Sequence, residues 1–256
     1  MSDKKIGLAL GSGGAKGLAH IGILKVLQNN DIPVDLVAGS SMGSVIGGLY
    51  AVQYDIEQME RVVNETDWQL LLSLVDPSLG QGLIKGEKIR DFIKKHLGDV
   101  DFEELEIPFS AVATDIKTGE AVALNQGSVV SAIRASISLP LIFKPVEYQD
   151  KLLTDGELSQ PVPVKTVKEM GADIVIGVNL HTNSFEEGDL NSYQIANRSL
   201  DLLRYNLSRY NVEGADVVIN PEVEDIKWND FLSSEEAIAA GEKEAEDKLS
   251  AIEKLI

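Results

Sequence analysis

The spacing of apolar positions changes repeatedly along the chain, and each change marks an element. Residues 5–10 end in the continuous run Ile6-Gly7-Leu8-Ala9-Leu10, the pattern of a strand covered on both faces. The run passes directly into Gly11-Ser12-Gly13-Gly14-Ala15-Lys16-Gly17. From about Lys16 to Asn29 the residues Leu18, Ile21, Leu24, Val26 and Leu27 recur at helical spacing. Asn29-Asn30-Asp31 and Pro33 end that helix. Leu36-Val37-Ala38 is a second buried strand, Gly39-Ser40-Ser41-Met42-Gly43 a tight turn, and Ser44 to Tyr50 the start of a second helix.

Further on, the pattern predicts helices over Asp55 to Glu65, Glu87 to Leu97 and Ser128 to Ser136, the last broken by Ser138-Leu139-Pro140. Pro108 to Thr114 and Ala121 to Leu124 read as strands, and two more flank Tyr148-Gln149-Asp150-Lys151, ending at Thr154-Asp155-Gly156. Ile174 to Val178 is another buried strand, Ser192 to Asn211 a long helix, and Asp216 to Asn220 a last strand. Ser233 and Glu236 have the spacing of a capping box for a terminal helix whose apolar face carries Ile238, Ala245, Leu249, Ile252 and Ile256. Strands alternating with helices predict an α/β fold: a three-layer α/β/α sandwich with a mainly parallel central sheet. With no repeat, low-complexity segment or linker in view, residues 1–256 are read as a single domain.

Composition narrows the function. Forty-one acidic residues against 23 basic ones give a formal net charge of −18. That balance opposes nucleic acid and limits membranes to transient surface contact. There are no cysteines, and the three histidines (His20, His96, His181) show no ligand spacing, so neither a metal nor another cofactor is expected. The first apolar run is too short for a signal peptide, and none reaches the ~18 residues of a membrane span. The expectation is a cytoplasmic protein.

The candidate chemistry lies in the two glycine turns. Gly39-x-Ser41-x-Gly43 between a strand and a helix has the form of a nucleophile elbow, which lifts the serine hydroxyl above the sheet edge at a helix N-terminus. The first loop fits neither dinucleotide nor phosphate fingerprints: the sixth position from Gly11 is Lys16, and Ala15-Lys16-Gly17 lacks the Gly-Lys-Ser/Thr ending. It is read as an oxyanion hole, with the Gly13 and Gly14 amides facing Ser41; a close turn without a ligand is the plain alternative.

Four blocks in this order together resemble the patatin-like phospholipases, in particular the bacterial subgroup similar to the catalytic part of neuropathy target esterase. They are Gly11-Ser-Gly-Gly-Ala-Lys-Gly-Leu-Ala-His-Ile-Gly22, the Ser41 elbow, Arg134-Ala-Ser-Ile-Ser-Leu-Pro140 and Asp155-Gly-Glu-Leu-Ser-Gln-Pro-Val-Pro163. The resemblance covers about residues 5 to 180. It implies a serine esterase of the EC 3.1.1 type that cleaves carboxylic esters of lipids (phospholipase A, lysophospholipase or carboxylesterase) through an acyl-enzyme. Ser41 would be the nucleophile, Asp155 the base, and Ser12, Gly13 and Gly14 the oxyanion donors. Gly11, Lys16, Gly17, Gly39, Met42, Gly43 and Gly156 would support the motifs, with Lys16 bracing the loop.

Glu157 departs from the family's usual Gly or Ala. It brings either strain, if φ is positive there, or a second negative charge beside Asp155. A catalytically weakened acyl-lipid or protein-binding module on the same fold is therefore the rival reading. Ser41, Asp155 and His181 also follow the chain order of a hydrolase triad, against a loop-surface role for His181. His20 is expected to pack under the glycine loop, and His96 to complement a helix end from the surface. Trp68 to Gly82 reads as an apolar cap or as a core helix, and Met42, Leu139 and Phe143 as lining for an acyl chain.

Overall fold

The computed structural model describes residues 4–66, 86–140, 142–181 and 191–256; Trp68 to Gly82, read above as cap or core, lies outside them. The chain begins with β1 (Ile6–Leu10), a 3-10 turn (Gly14–Leu18) and α1 (Ala19–Asn29). Next come β2 (Leu36–Ser40), α2 (Met42–Ala51), α3 (Ile56–Glu65) and α4 (Glu87–Leu97). They are followed by β3 (Phe109–Asp115), β4 (Ala121–Leu124), α5 (Val129–Ser136), β5 (Val146–Tyr148) and β6 (Lys151–Asp155). The last are α6 (Val164–Glu169), β7 (Ile174–Val178), α7 (Ser192–Asn211), β8 (Val217–Ile219) and α8 (Ser234–Glu253).

The strands form one sheet in the order β5-β6-β3-β2-β1-β7-β8, with β4 also paired to β3. From β3 to β8 the neighbours run parallel, while β4, β6 and β5 make an antiparallel margin. Strand periodicity sends successive side chains to opposite faces, and the two faces differ in residue size. Ile6, Leu8, Leu10, Val37, Ile174, Ile176 and Val178 join the larger core, together with α1, α2 and α8. Ala9, Ala38 and Val175 face the other way, onto Val164 and Val167 of α6. A Cβ at Gly7 would stand 2.2 Å from Val167 Cγ1, so small residues on this face let the short helix close onto the sheet. Helices thus cover both faces, as the sequence predicts.

Two departures from expectation have a clear physical cause. The first helix begins at Ala19 rather than Lys16, because residues 14–18 take the tighter 3-10 path out of a loop that needs φ +58° at Gly14. At the start of α8 the capping box does not form. The Ser233 hydroxyl donates instead to Asp230 Oδ2 at 3.1 Å, across a 3-10 turn (Phe231–Ser233) absent from the hydrophobic pattern.

Candidate active site

Register brings two distant residues to one level. Ser40 at the end of β2 lies beside Val112 of β3, and the next residue of β3, Ala113, lies beside Asp155 of β6. Asp155 therefore meets the turn after β2 across a single strand.

That turn holds Ser41 at φ 52°, ψ −123°, a sparsely populated conformation that costs on the order of 1–3 kcal/mol for a non-glycine residue. Its surroundings enforce it. A Cβ at Gly43 would sit 2.1 Å from the Leu10 carbonyl oxygen, and one at Gly39 would sit 2.2 Å from that of Gly43, so strand and helix close only through glycine. The Ser41 amide donates to Ser136 Oγ (3.0 Å), which itself donates to the Val112 carbonyl (2.6 Å). Ser136 is the serine of the Ala-Ser-x-x-x-Pro block, and its contact gives that block a physical role.

The Ser41 hydroxyl donates to Asp155 Oδ2 at 2.8 Å, and the Glu157 amide donates to Asp155 Oδ1 at 2.9 Å. Asp155 is completely buried. Burial above all, with the Glu157 charge second, raises its pKa well beyond the usual carboxylate range; the two hydrogen bonds and Arg204 pull the other way. Gly156 must stay small, since a Cβ there would lie 2.2 Å from the Val112 carbonyl.

Facing this pair is the glycine loop. The Gly11 amide is tied to the Val178 carbonyl (3.1 Å), that of Ser12 to Pro161 (2.8 Å) and that of Ala15 to Trp228 (2.7 Å). Ser12, expected as an oxyanion donor, thus has its amide committed elsewhere. The amides of Gly13 and Gly14 have no partner among the described residues. Neither do those of Met42 and Gly43, which open α2 immediately after Ser41. Gly17 makes room for Met42, whose Cγ would be 2.3 Å from a Cβ at that position. Half-buried Lys16 has its pKa lowered by burial against the opposing pull of Glu224, Asp201 and Asp225.

His20 underpins the loop: wholly buried, it places Nε2 2.8 Å from the Gly11 carbonyl. Burial lowers its pKa from 6.5 to about 4. A depressed pKa on a base means stability fully present above pH 6.5 and lost as pH falls toward 4, by about 1.4 kcal/mol per pH unit. Urea unfolding of His20→Gln, which keeps a donor for Gly11, should show a shallower dependence over that window. An identical slope would refute this.

The other histidines fall outside the pair. His181 Nε2 bonds Ser12 Oγ (2.8 Å), and burial, then Arg204 and Lys16, lower its pKa to about 4. It braces the loop rather than meeting Ser41, so the geometry does not assemble the triad, and the residue is not a simple surface histidine. His96 stands in the last turn of α4, as expected, but is half-buried. Its ring packs 4.8 Å from that of Phe92, and burial followed by Lys95 lowers its pKa.

Glu157 meets one of its two expectations: its charge helps raise the Asp155 pKa, but it strains no backbone. It sits in a 3-10 turn (Gly156–Leu158) and is absent from the positive-φ residues, so no backbone strain arises. Its charge meets Arg204 of α7, whose Nε and Nη2 both lie 3.0 Å from Oε1. Nothing in the local sequence marked Arg204.

Beside α2 lies an apolar pocket, part of it open to solvent. Met42, Val45 and Leu49 line it from α2, Met59 and Val63 from α3, and Phe92 and His96 from α4. Met42 was expected there. Phe143 instead lies under the Arg134 guanidinium, 5.1 Å from it, and Leu139 is not among the lining residues. Among the described residues no group of three or more His, Asp or Glu is placed to hold a metal, and no helix is long and apolar enough to cross a membrane.

Both the sequence and the fold have known counterparts. The family described as patatin-like phospholipase matches residues 8–168. An uncharacterised NTE family protein of Mycobacterium tuberculosis is 38% identical over 181 residues, 70% of this chain and 50% of that protein. The lysophospholipase NTE1 of Yarrowia lipolytica is 33% identical over 186 residues, 70% of this chain and 13% of that one. The chain thus spans about half the length of the mycobacterial relative and far less of the fungal one. Among solved structures, VipD from Legionella pneumophila shares the fold with a TM-score of 0.53 at 13% identity, over 99% of this chain and 67% of that chain. The type III effector protein ExoU does so with 0.52 at 14% identity, over 98% and 54%.

Proposed function

Because this chain belongs to the patatin-like phospholipase family, whose chemistry is lipid hydrolysis, we propose that it is a serine acyl hydrolase working through a Ser41–Asp155 dyad. The described residues act as a single catalytic domain in this reading. The observation that carries it is the 2.8 Å bond from the Ser41 hydroxyl to a buried carboxylate with raised proton affinity.

Ser41 Oγ attacks the ester carbonyl as its proton passes to Asp155 Oδ2. The oxyanion forms against the Gly13 and Gly14 amides, the donors left free by the loop's other bonds, and near the N-terminus of α2. Asp155 then protonates the departing alcohol. The acyl-enzyme is released by a water whose proton Asp155 takes and returns to Ser41 Oγ as the fatty acid leaves. A carboxylate is normally too weak a base to take a proton from serine, and burial narrows that gap. The Glu157–Arg204 ion pair weighs against the inert binding-module reading, because the second carboxylate is not left uncompensated.

The acyl chain is assigned to the apolar cavity. Met42, Val45 and Leu49 stand three and four residues apart, so they form one stripe of α2 leading away from Ser41 for about 10 Å. Release of fatty acid from lysophosphatidylcholine by the wild type, and none by Ser41→Ala, is the test; an inactive wild type would favour the binder. Leu49→Trp should lower kcat/KM for long-chain p-nitrophenyl esters by roughly 10–100-fold and leave short-chain esters within a few-fold. Equal losses for both would remove the cavity from the binding path.

A further inference from the structure

Arg204 reaches Glu157 from α7. Much of α7 is exposed, with Ile195, Leu203 and Tyr210 at 51%, 65% and 69%. Arg204 turns the other way. Its Nε and Nη2 converge on Glu157 Oε1 at 3.0 Å, while Nη1 holds Asp201 Oδ1 at 2.9 Å. The Glu157 side chain is 9% exposed and the Arg204 side chain 28%, so the contact is shielded from solvent on the carboxylate side. Glu157 is in turn fixed to Asp155 through its own backbone, whose N–H donates to Asp155 Oδ1.

Two carboxylates two residues apart, one wholly buried and the other nearly so, repel each other in a low dielectric. That repulsion favours the protonated form of Asp155. A protonated Asp155 cannot take the Ser41 proton. We infer that Arg204, by pairing with Glu157, is a positioning residue that keeps the Asp155 carboxylate ionised and ready to act as the base. This rests on the dyad reading above.

The charges around the group are few enough to name. Asp155 accepts from the Ser41 hydroxyl at the head of α2 and feels the charges of Glu157, in the turn after β6, and Arg204, on α7. Glu157 faces Arg204, and burial together with the charge of Asp201 raises its own pKa. Arg204 also acts on His181 after β7, which shares with it the field of Lys16 from the glycine loop, and Lys16 in turn feels Asp201, Glu224 and Asp225. Arg204 is the cation among these that acts on both Asp155 and Glu157. Removing it leaves their repulsion unopposed, whereas removing Glu157 removes the repulsion and leaves the cation.

The two changes therefore move Asp155 in opposite directions. In a pH profile of kcat/KM, Arg204→Gln should shift the acid limb to higher pH and Glu157→Gln to lower pH. Glu157→Gln with Arg204→Gln should fall between the singles, and Arg204→Lys should return most of the way to wild type. A pair that merely tethers α7 would lower activity by a factor independent of pH. Coincident acid limbs in all four variants would overturn the inference, as would both singles moving the same way.

A second readout does not depend on turnover. In full-length protein carrying Ser41→Ala, the carboxyl ¹³C resonance of Asp155, assigned by its loss in Asp155→Asn, reports its charge directly. Its midpoint should move with Arg204→Gln and Glu157→Gln in the same two directions. If it does so while Asp155→Asn still hydrolyses ester at the wild-type rate, the clamp stands and the assignment of Asp155 as base falls. If it stays fixed, the clamp itself is wrong.

Discussion

Asp155→Asn should lower kcat/KM for a lysophospholipid or long-chain ester by about 10⁴-fold, at the upper end of what a general base contributes, and Ser41→Ala by at least as much. The size follows from the geometry. Asp155 Oδ2 is the acceptor of the Ser41 proton, His181 is engaged with Ser12, and no other base reaches the hydroxyl among the described hydrogen bonds. Asparagine keeps the shape and can still accept the Glu157 amide, but it cannot take a proton. The fold should not suffer. Burial raises the Asp155 pKa, so its stabilising contribution is present at low pH and lost as pH rises through the folded value. At neutral pH the neutral amide should therefore unfold at an equal or higher urea concentration, an inverse relation between activity and stability typical of catalytic groups. Activity within tenfold of wild type in Asp155→Asn would remove Asp155 from the mechanism.

The second large effect is expected at the elbow. Gly43→Ala places a Cβ 2.1 Å from the Leu10 oxygen, 2.6 Å from its carbon and 2.7 Å from the Gly11 oxygen. All three are backbone atoms of the central strand and the glycine loop, so nothing flexible can yield. Either α2 lifts from the sheet or β1 shifts, at a cost of about 2–3 kcal/mol. Ser41 moves with α2, and a displacement near 1 Å at a reacting atom is worth roughly 10²-fold in rate. Gly127→Ala, where φ is +70° but nothing lies within 4 Å, is the contrast. It should cost about 1 kcal/mol from backbone strain and leave turnover alone. Urea midpoints and ester hydrolysis measured on both variants check this. Equal behaviour of the two would mean that the close approach at Gly43 does not shape the site.

Much of this frame was legible because local pattern and final structure agree. The Ile6–Leu10 and Ile174–Val178 runs became neighbouring central strands, and the helix over Ser192–Asn211 formed with those bounds. The Ser41 elbow was readable because only glycine tolerates such closure, a constraint that leaves a direct mark in sequence. Asp155 was not readable in this way. An Asp-Gly pair suits any turn, and only the resemblance singled it out. What joins it to Ser41, 114 residues away, is the antiparallel placement of β6 beside β3, a pairing that hydrophobic period does not encode.

Side-chain pairings over long separations stayed hidden for the same reason. Arg204 is one of several polar residues on a helix that reads as a surface element, and Ser12 and His181 lie 169 residues apart. The capping box at Ser233 failed because a nearer acceptor, Asp230, took the hydroxyl. A motif states which bonds are available, and competition in the folded chain decides which are made.

The most direct test is where a serine-reactive probe attaches. The full chain is treated with a fluorophosphonate, digested and mapped by tandem mass spectrometry, alongside Asp155→Asn. One adduct on Ser41 in the wild type, lost or greatly slowed in Asp155→Asn, is the expected result. An adduct on another serine, or none while lipid ester is still hydrolysed, would contradict the Ser41–Asp155 dyad.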